Sequence, residues 1–269
     1  MAKSLRIVSW NINSVRLRAP NVEGFVAAEK PDVVCLQETK CQDGEFPLKA
    51  FKDMGLPHVL MRGQRGGHAG VAIASRQPLE LIDAPDLCRE GHARVIAARL
   101  KNGLEIHNIY LPAGGDIPDP EQNDKFAHKL DFLDRLGPAY KKLNKSGRRI
   151  LVGDLNVAPH ENDVWSHKQL LSIVSHTPEE TERLEDGRKS AGFADIGRLA
   201  VPTEQKLYSW WSYRAADWAA SNKGRRLDHI WASKDALADV KVPSFRVHLA
   251  WRGGWKPSDH APISVDVKA

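Results

Sequence analysis

The sequence predicts a single α/β domain whose strands deliver polar side chains to a shared site. Three observations predict it. Short apolar runs of strand length recur from Leu5 to Val267, among them Val33-Val34-Cys35-Leu36 and Ile150-Leu151-Val152. Such runs lead straight into amide or carboxylate residues, and in open sheets and sandwiches sites gather at strand ends. Segments of helical spacing lie between them, with no low-complexity linker and with polar strand ends in both halves. Residues 1–269 therefore read as one domain.

The first strand, Leu5-Arg6-Ile7-Val8-Ser9-Trp10, ends in Asn11-Ile12-Asn13, which places Asn11 and Asn13 on one side of an extended chain. A helix over Pro20–Glu29 follows, with proline near its start. The strand Val33–Leu36 then runs into Gln37-Glu38-Thr39-Lys40. Glu38 is the first candidate for a hard cation such as Mg²⁺, which prefers carboxylate and amide oxygens. Its plain structural alternative is an exposed glutamate paired with Lys40. Arg62–Gly70 is a basic, glycine-rich loop that suits either a phosphate or a hairpin connection. It leads into the strand Gly70–Ser75. Strands over Arg94–Arg99 and Leu104–Tyr110 follow, the second ending at the polar Tyr110.

Glu121–Leu143 shows helical spacing in Phe126, Leu130, Leu133, Leu136 and Tyr140, with a bend expected at Gly137-Pro138. The central stretch is Arg149-Ile150-Leu151-Val152-Gly153-Asp154-Leu155-Asn156. Its apolar run has the pattern of a strand buried on both faces, and Gly153 stands where a side chain would crowd the backbone. Asp154 and Asn156 at i and i+2 suit the grip of a water, a metal or a phosphate, or else a turn before Pro159. Asn162–His176 is polar and irregular, and Thr177-Pro178-Glu179-Glu180 carries a capping box.

From Leu207 aromatics interleave with arginine: Tyr208-Ser209-Trp210-Trp211-Ser212-Tyr213-Arg214, then Asn222-Lys223-Gly224-Arg225-Arg226 before the strand Leu227–Ala232. Such a mixture offers rings for stacking and counter-charge for phosphates, or forms the edge of a tryptophan-rich core. Near the end, Pro257-Ser258-Asp259-His260-Ala261-Pro262 precedes the strand Ile263–Val267. Prolines restrict this Asp-His pair, and Asp228 is a natural partner for one nitrogen of His260.

Composition narrows the class. A net charge of +5 and a pI near 9.1 hint at a polyanionic partner. No apolar run approaches the length of a membrane span, and no signal-peptide core is present. Three cysteines without a CxxC pair suggest neither a disulfide framework nor a zinc site. A cytoplasmic protein with no membrane partner is expected.

Ser9-Trp10-Asn11-Ile12-Asn13, Leu36-Gln37-Glu38-Thr39-Lys40, Asn108-Ile109-Tyr110-Leu111-Pro112, Gly153-Asp154-Leu155-Asn156, Leu227-Asp228 and Pro257-Ser258-Asp259-His260 match, in order, motifs of one family. The chain resembles the exonuclease III family of abasic-site (AP) endonucleases, within the endonuclease/exonuclease/phosphatase superfamily. The resemblance spans nearly the whole chain. It implies a DNase I-like, four-layer sandwich in which two packed mixed β-sheets are flanked by helices.

The resemblance also implies roles. Glu38 would be the main Mg²⁺ ligand, with Asn13 and Asp259 assisting and Mn²⁺ as a substitute. Asp154 would accept a proton from the attacking water, and Asn156 would orient that water or a phosphate oxygen. His260, held by Asp228, would bind the scissile phosphate; Asp154 and His260 remain alternative bases. Tyr110, Asn11 and Arg94 would organise the phosphate, and Trp210 would wall the pocket for a base-less sugar. Arg225 and Arg226 would line the substrate side. Two departures stand out: Ala113, where relatives often carry an amide, and Arg225, where some carry an aromatic.

The implied function is a monomeric Mg²⁺-dependent phosphodiesterase acting on duplex DNA with abasic sites or blocked 3′ ends. It would cut 5′ to the lesion, with 3′→5′ exonuclease and end-trimming activity. The alternatives are a predominantly exonucleolytic enzyme, a non-DNA phosphoesterase on the same fold, and an inactive nucleic-acid binder. The last would lack at least one of Glu38, Asp154, Asn156, Asp259 or His260, and all are present.

Overall fold

A computed structural model describes residues 4–66 and 68–269. The strands are β1 (Ser4–Asn11), β2 (Val33–Gln37), β3 (His58–Arg62), β4 (Val71–Ser75), β5 (Leu79–Ile82), β6 (Val95–Leu100) and β7 (Glu105–Tyr110). They continue as β8 (Arg149–Asp154), β9 (Phe193–Asp195), β10 (Trp210–Trp211), β11 (Gly224–Arg225), β12 (Asp228–Ser233), β13 (Val240–Val247) and β14 (Ile263–Lys268). One six-stranded sheet has the order β13-β14-β1-β2-β4-β3 and the other β5-β6-β7-β8-β12-β9, while β10 and β11 form a small ribbon.

Period-two alternation decides which side chains enter the space between the sheets. In β8, Ile150 and Val152 point inward and Leu151 outward; in β1, Leu5 and Ile7 point inward and Val8 and Trp10 outward. The inner layer is aliphatic, with Val33, Cys35, Ile73, Ile106, Ile230 and Val265 from both sheets. Helices cover the outer faces. Helix α1 (Val15–Glu29) lays Val22, Phe25 and Val26 over β1 and β2. After the short helix α2 (Leu48–Asp53), α3 (Asp124–Leu143) covers β7, β8 and β12 with Phe126, Leu130, Leu133 and Tyr140. The four-layer α/β/β/α sandwich is the expected architecture.

Each sheet contains one parallel pair, β1 with β2 and β7 with β8, joined by crossovers through α1 and α3. The C-terminal ends of these four strands therefore emerge on one rim. Strand β12 runs antiparallel to β8, with Asp228 opposite Asp154, and β14 runs antiparallel to β1. Their beginnings reach the same rim. Gly153 lies inside β8, and a Cβ there would overlap the carbonyl oxygen of Ile109 on β7.

Two helix expectations need correction. The first helix begins at Val15, and Pro20 sits inside it beyond a non-helical Arg18. Helix α3 starts at Asp124, capped by the Asn123 side chain, and runs unbroken through Gly137 and Pro138. Gly137 serves a helix crossing: a Cβ there would lie 2.8 Å from the Gly187 Cα of the helix Pro178–Ser190. After the short α4 (His167–Leu170), that helix is α5, and it opens with the expected capping box at Thr177.

Arg226 also departs from its expected place. It is buried at 2% exposure, and its guanidinium grips Asp163 (Nε to Oδ1, 2.7 Å) and Asp195 (Nη1 to Oδ2, 2.9 Å). It ties three segments beneath the surface and does not line the substrate side. Burial alone would raise both aspartates, but the Arg226 charge outweighs it and holds them below the usual carboxylate range. The stabilisation is thus present above the ordinary aspartate pKa, near 4, and is lost as pH falls through the depressed values. Arg226→Ala is expected to destabilise by about 3–5 kcal/mol at neutral pH, with the gap to wild type narrowing below about pH 4. Denaturant unfolding at several pH values measures this, and a gap independent of pH contradicts it.

Candidate active site

At the common rim, Asn11 ends β1 and Asp154 ends β8, one from each sheet. The Asn11 Nδ2 donates to Asp154 Oδ2 at 2.8 Å and to Glu38 Oε1 at 2.9 Å. Glu38 follows β2 in a left-handed conformation (φ 51°), which turns its carboxylate back over the strand end. Tyr110, ending β7, donates its hydroxyl to Glu38 Oε1 at 2.9 Å. Burial and the charges of Glu38 and Asp154 raise the Tyr110 hydroxyl well above its ordinary pKa, so it remains a donor. Arg94 lies over the Tyr110 ring, 4.9 Å from its centre, with a buried Nε that has no hydrogen-bond partner among the described residues.

His260 enters from the other side. Its Nδ1 bonds Asp228 Oδ2 at 2.8 Å, and its Nε2 stands 3.7 Å from Asp154 Oδ2. Ser209 holds Asp228 at 2.6 Å, and Trp10 Nε1 donates to the His260 carbonyl at 3.0 Å. Burial alone would lower the imidazole pKa, but Asp228, Asp154 and Asp259 outweigh it and raise it to about 10. The ring is then an imidazolium at neutral pH, donating from both nitrogens. Burial raises Asp154 too, aided by Asp228 and Glu38 against the opposing pull of His260 and Asn11. A raised carboxylate beside an imidazolium can act as a proton acceptor near neutral pH.

Asn156 is left-handed (φ 50°), and its Nδ2 bonds the Leu111 carbonyl at 2.8 Å and Asp154 Oδ2 at 3.3 Å. Beneath it lies Lys129, fully buried in α3. Its Nζ donates to the carbonyls of Asn156 (2.8 Å) and Ala113 (3.2 Å) and pairs with Glu180 of α5. The Ala113 departure thus leaves the backbone of that turn anchored. Lys129 falls on the apolar stripe of α3, one residue before Leu130, and a lysine there is itself a readable signal.

The residues expected to hold a cation converge. Glu38 Oε2 and Asn13 Oδ1 lie 2.7 Å and 2.6 Å from the same Lys40 Nζ. Burial would raise Glu38, yet Lys40 and Asn11 hold it below its ordinary value. Asp259 reaches this group through Asn13 Nδ2 at 3.1 Å, while its other oxygen accepts from Trp210 Nε1 at 2.9 Å. The donors are all oxygen and already focus on one positive charge, which fits Mg²⁺ or Mn²⁺. Asp154, Asp228 and His260 also form a group of metal-ligating geometry. With His260 protonated, that group already contains its own cation.

The aromatic segment divides. Trp211 is buried against Trp218, whereas Trp210 stays half-buried beside Asp259 at the rim. The Arg225 guanidinium lies 5.3 Å from the Trp210 ring centre and is pinned to Ser175 Oγ at 2.7 Å. The base of the Arg62–Gly70 loop is tied to the Glu38 turn by Lys40 N–H to Ala69 O at 3.0 Å.

Known proteins share this architecture along nearly the whole chain. The model of the Endonuclease/Exonuclease/phosphatase family matches residues 8–260. The chain is 32% identical to Exodeoxyribonuclease III of Haemophilus influenzae, over 98% of this chain and 100% of that protein. It superposes on an AP endonuclease from Archaeoglobus fulgidus with a TM-score of 0.89 and 29% identity, over 98% and 100% of the two chains. It superposes on a 3′ phosphatase, NExo, from Neisseria, bound to a product DNA hairpin, with a TM-score of 0.88 and 30% identity over the same shares. The chain belongs to the Endonuclease/Exonuclease/phosphatase family, in its exodeoxyribonuclease III branch, and is a DNA-repair nuclease.

Proposed function

We propose that this nuclease is a Mg²⁺-dependent phosphodiesterase that cuts duplex DNA on the 5′ side of abasic sites. We assign it 3′→5′ exonuclease and end-trimming activity at the same centre. One observation carries the reading: a single Asn11 amide links Asp154 to Glu38, while His260, backed by Asp228, faces Asp154 from 3.7 Å. A proton acceptor, an anion binder and a pair of hard oxygens stand side by side.

In this reading Asp154 takes the proton from the attacking water, which Asn156 orients. His260 holds its proton too firmly to be that base, and it donates to a phosphate oxygen instead. Tyr110 and Arg94 add donors to the same phosphate. Bound at Glu38 and Asn13, with Asp259 beside them, Mg²⁺ would neutralise charge that develops on the phosphate. Fixed donors of this kind stabilise a transition state more than a ground state. Three buried free thiols suit the reducing cytoplasm. Among the described residues, no helix is long and apolar enough to cross a membrane.

One contact favours a second reading. Arg225 covers the face of Trp210 and narrows the space for a base-less sugar, which favours work at 3′ ends over internal nicking. Arg225→Ala separates the two: the ratio of abasic nicking to 3′-end trimming should rise, and an unchanged ratio removes Arg225 from substrate choice.

A duplex carrying one abasic-site analogue, assayed with Mg²⁺ and with EDTA beside an intact duplex, tests the main reading. Metal-dependent nicking 5′ to the lesion is expected, with kcat falling by about 10²–10⁴-fold in Asp154→Asn. Equal nicking of the intact duplex contradicts the abasic assignment, and full activity in the variant contradicts the base. Lys129→Met should destabilise by about 3–5 kcal/mol, because Glu180 is left buried and unpaired. Adding Glu180→Gln should restore most of the stability but not kcat, since the Asn156 turn has lost its donor. Full kcat in the double variant would show that Lys129 serves stability alone.

A further inference from the structure

A second group of ligating side chains lies on the loop that precedes β6 and on the first half of α3. Glu90 Oε2 stands 3.4 Å from His92 Nδ1 and 3.2 Å from His128 Nδ1. Around a tetrahedral ion with bonds of 2.0–2.1 Å, neighbouring ligand atoms sit about 3.4 Å apart. The two separations match that spacing. One ligand atom from each residue lies within 4.8 Å of the others.

The histidines are set for such a role. His92 Nδ1 is shielded from solvent and makes no hydrogen bond among the described residues, its approach to Glu90 being poorly aligned. His128 Nε2 meets Cys88 Sγ at 3.4 Å. A proton on Nε2 shared with the sulfur leaves the Nδ1 lone pair facing Glu90, the outer contact that commonly orients a ligating histidine. The His68 ring packs edge-on to His92, with centres 5.1 Å apart.

We infer that Glu90, His92 and His128 form a second metal site, separate from the reaction centre, for a borderline divalent cation of the zinc class. Imidazole with carboxylate suits that class, whereas the all-oxygen group at Glu38 suits Mg²⁺. The ion would fasten the loop before β6 to α3.

Cobalt(II) is the probe, added to the full chain in the presence of excess Mg²⁺ so that the oxygen site is occupied. The visible bands of tetrahedral cobalt should saturate at one equivalent in wild type and in Glu38→Gln. They should vanish in His92→Ala and in Glu90→Gln, while both variants keep Mg²⁺-dependent nicking and are thereby known to fold. Zinc should raise the melting temperature of wild type and leave His92→Ala unmoved. Identical cobalt spectra in wild type and both loop variants overturn the site. Loss of the bands in Glu38→Gln alone assigns the ion to the reaction centre and overturns it equally.

Discussion

Everything at the rim depends on accommodating carboxylates of like charge from two sheets in one small buried space. Glu38, Asp154, Asp228 and Asp259 converge there, and Asp154 and Asp228 are almost wholly shielded from water. Their mutual repulsion and desolvation would loosen the strand ends. Three groups offset this. The Asn11 amide bridges the sheets, the His260 imidazolium lies between Asp228 and Asp154, and Lys40 answers Glu38. Two of the three, His260 and Lys40, are cations that hold the carboxylate oxygens in place. The arrangement that lets the chain fold thus also gathers oxygen ligands and hydrogen-bond donors at one rim.

The scaffold beneath is stiffened by polar groups rather than by the aliphatic core alone. Gln37 Nε2 crosses from one sheet to Asn108 Oδ1 on the other at 2.7 Å, and Asn108 Nδ2 returns to the Leu36 and Ala72 carbonyls at 2.9 Å each. Buried networks of this kind fix a register, because slipping one residue would strand several partners without water. Ser258 Oγ, bonded to the Asn11 carbonyl at 2.6 Å, does the same between the first strand and the His260 loop. The register of β1 and the placement of His260 are therefore set together.

Much of this was legible in the sequence. Period-two and wholly apolar runs marked β1, β2, β4, β6, β7, β8, β12 and β14, and their polar ends marked Asn11, Glu38, Tyr110, Asp154 and Asp228. The edge strands β3, β5, β9 and β13 were not legible, since short or half-exposed edges carry no continuous apolar signal. Pro20 misplaced the start of α1 because proline is favoured in a first turn, yet here the helix tolerates it after a local distortion at Arg18. Arg226 read as a surface charge because the two aspartates that bury it, Asp163 and Asp195, are distant in sequence. The pairing of His260 with Asp228 could be foreseen from chemistry, whereas Ser209 behind Asp228 could not, since nothing local distinguishes it. Arg225 illustrates the limit of motif reading: its charge suggested phosphate contact, while the structure packs it on the Trp210 ring and ties it to Ser175.

Cation binding by the Glu38 group is the central claim, and calorimetric titration of Mg²⁺ into the DNA-free protein tests it most directly. If Glu38 anchors the ion, wild type binds saturably and Glu38→Gln binds about tenfold or more weakly, a loss of at least ~1.4 kcal/mol. Equal affinity in the two proteins would contradict the assignment.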